Sequence, residues 1–102
     1  MRLEHYNQEK LKGEILGLIG RHLDLTDYKL FFFGSRTADK GDERSDIDVG
    51  IEGREPVPIG VMFDIQDELE RLPTLYKVDV VDFHKTSKRF AQLAKQHIEL
   101  IN

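Results

Sequence analysis

Asp46 and Asp48 flank a single isoleucine, ten residues beyond the end of the run Phe31-Phe32-Phe33-Gly34-Ser35-Arg36. On one strand their side chains share a face, from Cα atoms about 6–7 Å apart. Two carboxylates so placed repel each other unless something positive lies between them. Hard divalent cations favour such oxygen ligands, and Mg²⁺ is often held by one or two carboxylates plus substrate phosphates. The Gly34-Ser35 turn supplies what a phosphate tail needs: close backbone approach, free N–H groups and a hydroxyl. Together these residues describe a site for a metal-bound nucleoside triphosphate.

A third carboxylate comes from Tyr76–Phe83, which reads as a strand. Asp79 and Asp82 differ by three positions there and so fall on opposite faces. Asp79 shares its face with Lys77 and Val81. Asp82 aligns with Val78 and Val80, which read as core, and its place near the strand end suits capping or solvent contact. Asp79 is therefore the third site candidate. Each residue also has a plainer reading: Ser35 as a helix cap, Arg36 as a surface cation beside Asp39 or Asp42, Asp79 as an exposed strand residue. His5, His22, His84 and His97 show no metal-ligand spacing, and His97 reads as a partly buried packing residue on the last helix. Lys85, Lys88, Arg89 and Lys95 read as a solvated helix face.

The elements that must position these groups follow from hydrophobic spacing. Residues Asn7 to Leu23 read as an amphipathic helix, with Leu11, Ile15, Leu18 and Ile19 on one face. Gly13, Gly17 and Gly20 each cost about 1 kcal/mol relative to Ala in such a helix, a loss that close packing against a sheet or a partner would justify. A turn at Asp24–Asp27 leads into a first strand, Lys29–Phe33. The polar connection Gly34–Ser45 begins with a predicted short helix whose N-terminus faces the phosphates. Asp46–Glu52 is the second strand, ended by Gly53 and Pro56-Val57-Pro58. A helix over Ile59–Leu72 carries Met62, Ile65, Leu69 and Leu72 on one side, and Pro73 stops it. After the third strand, Ser87 caps a last helix with Phe90, Leu93, Ala94, Ile98 and Ile101 on its buried face. The predicted fold is α/β (α+β), a mixed sheet with helices packed on one face, in a single domain spanning residues 1–102.

Bulk properties fit that scale. The 102 residues are 39% apolar and 33% charged, enough for one core. A formal charge of −4, with no basic stripe, disfavours nucleic acid as the main partner. No apolar run approaches the roughly 20 residues that span a bilayer, so no membrane association is expected. The N-terminal residues show no signal-peptide core, and the absence of cysteine excludes disulfides and thiolate metal sites; both fit a cytoplasmic location.

Gly34-Ser35 followed by Asp46-Ile47-Asp48 resembles the signature of the DNA polymerase beta-type nucleotidyltransferase superfamily. Its smallest members, the minimal nucleotidyltransferases, are similar in length and element order, from the first helix through the Val78-Asp79-Val80-Val81-Asp82 strand to the Ser87–Ile101 helix. The resemblance implies a small nucleotidyltransferase fold in which Asp46 and Asp48 bind two Mg²⁺ ions, or Mn²⁺, bridging the triphosphate. Asp79 would complete the second metal site and help activate the acceptor hydroxyl. Gly34 and Ser35 would hold the β- and γ-phosphates, with Arg36 as a charge partner. Metals about 3.5–4 Å apart stabilise both the attacking and leaving oxygens of an in-line displacement. The implied reaction transfers a nucleoside monophosphate, AMP from ATP by preference, to a hydroxyl acceptor. Because minimal members lack an acceptor-binding domain, the resemblance also implies a separate helical HEPN-type partner, or failing that a homodimer. In such pairs the nucleotidyltransferase acts as antitoxin by adenylylating a tyrosine of a HEPN ribonuclease toxin. The alternative from another class is a non-catalytic antitoxin that works only by binding a helical partner. Retention of Gly34, Ser35, Asp46, Asp48 and Asp79 speaks against it. An aminoglycoside-type enzyme would need an acceptor domain.

Overall fold

The computed structural model describes residue 3, residues 6–34 and residues 46–102. Ser35, Arg36 and the short helix expected after Gly34 lie outside the described residues.

Helix α1 spans Gln8–Gly20, and its first turn is closed by Asn7, whose side chain accepts a hydrogen bond from Lys10 N at 2.9 Å. Strand β1 (Tyr28–Phe33) pairs antiparallel with β2 (Ile47–Gly53). From β2 the chain crosses through helix α2 (Ile59–Leu69) to β3 (Val78–Asp82), which lies parallel to β2. A parallel pair needs such a crossover, and α2 provides it over one face of the sheet. A 3₁₀ turn at Phe83–Lys85, a short helix α3 (Lys88–Ala94) and a two-residue strand β4 (Glu99–Leu100) complete the chain. The sheet order is β3-β2-β1-β4.

Alternation along the strands divides the two faces cleanly. Leu30 and Phe32, Ile47, Val49 and Ile51, and Val78 point to one side and pack with Leu11, Ile15, Leu18 and Ile19 of α1 and Ile65 and Leu69 of α2. Phe31 and Phe33 point to the other side, where they form a second, smaller cluster with Phe83. The rings of Phe31 and Phe33 meet Phe83 edge-on at 4.9 and 5.0 Å. At Gly50 this cluster leaves no room for a side chain, since a Cβ would stand 2.6 Å from the Phe31 ring and 2.8 Å from that of Phe83. Burial of these apolar groups is the main favourable term for a domain this small.

The structure departs from the sequence-based expectation at three places. The last helix ends at Ala94 rather than running to Ile101, and residues Glu99 and Leu100 instead pair with the outer edge of β1. Ile101 is buried and donates its N–H to Leu30 O at 2.8 Å, while the Asn102 carboxamide accepts from Leu30 N at 2.7 Å. Pairing with a distant strand thus overrides a spacing that is locally helical. Secondly, α3 does not bury Phe90 or Leu93, and it lies against the Phe31–Phe33–Phe83 face rather than beside α1 and α2. Lys95 ties its C-terminal end to Glu52 of β2. His97 is exposed in the turn that follows, not packed on a helix. Thirdly, among the described residues nothing in the chain crowds Gly13 or Gly17, so packing on their own sheet does not account for them.

Candidate active site

Topology brings the acidic residues together. Because β2 and β3 run parallel, their N-terminal ends lie side by side, and Asp48 is the direct register partner of Asp79. Adjacent strands are about 4.7–4.9 Å apart, so the two carboxylates rise from neighbouring positions on the same face. Antiparallel β1 contributes its C-terminal end to the same place, where Phe33 pairs with Asp48 and Gly34 follows. Asp46 precedes β2 and is exposed, with the buried Ile47 between it and Asp48. The alternation expected from Asp46-Ile47-Asp48 is therefore realised.

Gly34 has φ +89°, in a region that favours glycine. A Cβ there would overlap the Asp48 Oδ2 and stand 3.3 Å from its carboxyl carbon. The Gly34 backbone is thus in close approach to the Asp48 carboxylate. Asp48 is half-buried, and its carboxyl is pushed up to about 6, first by burial and then by the negative charges of Asp79 and Asp46. Excess negative charge at this point is what a cation would relieve. Among the described residues, no three Asp, Glu or His side chains converge to hold an ion by themselves. The donor set fits the other arrangement, a pair of hard carboxylates completed by phosphate oxygens of a substrate.

Asp79 has two positive or donor groups on its flank. Lys77 Nζ lies 3.9 Å from Oδ2, and Gln66 Nε2 lies 3.4 Å from Oδ1. Asp82 has a different place. It is buried on the core face, where Oδ2 accepts from Val57 N at 2.8 Å and Oδ1 from His84 N at 2.9 Å. It caps the 3₁₀ turn and ties down the β2–α2 connection, and solvent contact is no part of its role. Asp79 therefore lies on the face of Asp48, and Asp82 on the core face. Sequence reasoning did not single out Gln66, whose amide reaches the β3 backbone and Asp79 from a helix; only a tertiary contact reveals it.

An open groove of about 520 Å³ is lined by Gly34 and Asp48 together with Phe33, Val81, Phe90 and Leu93. Its apolar wall includes two side chains that the chain leaves uncovered: Phe90 is 42% and Leu93 59% exposed. The arrangement offers a charged end for phosphate and metal beside an apolar shelf. No helix among the described residues is long and apolar enough to cross a membrane.

Known proteins share this fold. The family described as "Polymerase beta, Nucleotidyltransferase" matches residues 28–102. A probable protein adenylyltransferase MntA of Haemophilus influenzae is 26% identical over 93 residues, which cover 89% of this chain and 82% of that protein. Among solved structures, a toxin–antitoxin complex with AMP-PNP superposes with a TM-score of 0.72 at 18% identity, covering 89% of this chain and 72% of the other. A Shewanella oneidensis complex of tri-AMPylated HEPN toxin with MNT antitoxin gives a TM-score of 0.69 at 16% identity, over 93% and 72% of the two chains. At those identities the structural likeness concerns the fold. The family match spans the sheet, the paired aspartates and everything after them, and by it this chain belongs to the polymerase beta nucleotidyltransferase family and is a nucleotidyltransferase.

Proposed function

We propose that this chain transfers AMP from ATP to a hydroxyl, that of a tyrosine on a helical HEPN-type partner, and acts as the antitoxin of that pair. The observation that carries the proposal is the register pairing of Asp48 with Asp79 beside Gly34, in a chain of this family. The relative named an adenylyltransferase, and the neighbour that holds an AMPylated HEPN toxin, support both the nucleotide and the partner.

In this reading Asp46 and Asp48 would hold Mg²⁺, and Asp79 would complete a second metal position. Bound metal would neutralise charge on the triphosphate and on the leaving pyrophosphate. Gly34, with Ser35 and Arg36, holds the β- and γ-phosphates. The acceptor oxygen attacks the α-phosphorus, the bond from that phosphorus to the pyrophosphate oxygen breaks, and a phosphodiester forms as pyrophosphate departs. Asp79 assists removal of the hydroxyl proton. The exposed Phe90 and Leu93, on the groove that Asp48 also lines, give a partner somewhere to rest its apolar surface. The whole chain acts as one domain, at work in the cytoplasm.

The test is to incubate the purified protein with ATP labelled at the α-phosphate, Mg²⁺ and the protein encoded next to it. Label on a tyrosine of that protein, with release of pyrophosphate, is the expected result. A stable complex without label would instead support the non-catalytic antitoxin.

A further inference from the structure

Strand β3 is the outer strand of the sheet, with β2 on one side only. Its other edge is not bare. Gln66, one turn before the end of α2, lays its carboxamide along it: Oε1 accepts from Val80 N at 2.9 Å, and Nε2 donates to Val78 O at 3.1 Å. These two bonds reproduce what a neighbouring strand would offer to Val78 and Val80, the residues on either side of Asp79. The same Nε2 lies 3.4 Å from Asp79 Oδ1 and 3.4 Å from Oε1 of Glu70, the residue just past the end of α2. One half-buried amide therefore fixes the backbone on both sides of Asp79 and faces its carboxylate.

We infer that Gln66 is a positioning residue for Asp79, acting as a one-residue substitute strand that holds the third carboxylate toward Asp48. The inference rests on the proposed role of Asp79. An outer strand held on one side has more freedom than an inner one, and a carboxylate on it is only as well placed as its backbone. Lys77 cannot do this work, because its ammonium meets Asp79 at 3.9 Å from a largely exposed side chain on the residue just before the strand. Water can replace the amide at both backbone groups without restoring their geometry, so loss of Gln66 separates placement of Asp79 from folding.

Two variants test this. Gln66→Leu removes both arms of the amide. Gln66→Glu keeps an acceptor for Val80 N–H but loses the donor to Val78 O and Asp79, and adds a like charge. In both, kcat for AMP transfer is expected to fall about tenfold or more, while KM for ATP stays within about twofold because the Gly34 end is untouched. Mn²⁺ affinity, measured by the free-ion paramagnetic signal with a non-hydrolysable ATP analogue present, is expected to weaken about tenfold in Gln66→Leu. Val80 amide exchange should quicken in Gln66→Leu and stay slow in Gln66→Glu. A cooperatively folding variant of either kind with wild-type kcat and Mn²⁺ affinity overturns the inference, as does a rise in KM for ATP with kcat unchanged. If Gln66→Leu does not fold, Gln66→Glu decides. If the wild type transfers no AMP, the proposed function fails on its own account, and the Mn²⁺ measurement alone judges Gln66.

Discussion

The charge at Asp48 makes a quantitative prediction about stability. Its carboxyl is raised from 3.8 to about 6, chiefly by burial, then by Asp79 and Asp46. Unscreened, that displacement amounts to about 3 kcal/mol against the ionised folded form. Asp48 is half open to water, and screening reduces the cost to about 1–2 kcal/mol. Below pH about 3.8 the carboxyl is protonated folded and unfolded, and no cost arises. Between about 3.8 and 6 the folded state keeps a proton that the unfolded state releases, so stability declines as pH rises. Above about 6 the full cost is present. Asp48→Asn, which removes the charge and little volume, should therefore stabilise the metal-free protein at pH 7.5 by about 1–2 kcal/mol, or about 4–10 °C in melting temperature for a domain of this size. At pH 4 most of that gain should be gone.

Urea unfolding in EDTA at the two pH values measures this directly, as a midpoint shift at constant slope. Adding Mg²⁺ and ATP should reverse the order. A ligand at a hundred times its dissociation constant stabilises the native state by about 2.7 kcal/mol, and the wild type should collect most of that while Asp48→Asn does not. A variant no more stable than wild type at pH 7.5, or one equally stabilised at pH 4, would show that the carboxylates do not oppose one another as described. An equal response of both proteins to Mg²⁺ and ATP would place the metal elsewhere.

Three further outcomes are expected. Replacing Asp46 or Asp48 by Ala should remove nucleotidyl transfer almost completely in a labelled-ATP assay, with exposed Asp67→Ala as the unaffected control; activity in the Asp46/Asp48 double variant would sink the assignment. Asp82→Ala should cost about 2–4 kcal/mol in urea unfolding, because Val57 N and His84 N lose a charged acceptor in a buried place, and a cost below about 0.5 kcal/mol would refute its capping role. Gly34→Ala should cut transfer about tenfold or more, since its Cβ displaces the Asp48 carboxylate at φ +89°, yet add little in an Asp48→Ala background, as coupled sites do.

The strand faces at this candidate site were legible in the chain because they depend on period two. Asp46-Ile47-Asp48 declares its faces by alternation, and Val78 and Val80 declare the core side of β3, which leaves Asp79 facing the site and Asp82 facing inward. What the sequence concealed is tertiary. The spacing from Ala94 through Ile98 to Ile101 is helical, and only the open edge of β1 turns Glu99 and Leu100 into a strand. Phe90 and Leu93 read as a buried stripe, yet the surface beneath α3 is a small phenylalanine cluster that Ala91, Ala94 and the ring of Phe90 meet, which leaves Leu93 and part of Phe90 exposed. Gln66 looks like any polar residue on an amphipathic helix, because its partners lie on a strand a dozen residues ahead.

The three aspartates are not held alike, and the difference follows from strand order. Asp48 sits on an inner strand, with β1 paired on one side and β3 on the other, so its backbone is fixed by ladders on both edges. Asp46 precedes that strand, just before the Ile47 N–H that bonds Lys77 O at 2.8 Å. Asp79 sits on the outer strand, where one side-chain amide stands in for a ladder. Asn102 plays a matching part on the side of β1 away from β2, beyond the two residues of β4, accepting from Leu30 N and donating to Tyr28 O. Side chains thus complete the pairing of β3 and of the part of β1 beyond β4, and of these two strands β3 is the one that carries a candidate site residue there. Under the proposed roles, Asp48 is the carboxylate whose strand is paired on both sides and Asp79 the one whose strand is completed by a side chain, so substitutions along the outer edge of β3 should alter turnover before they alter nucleotide binding.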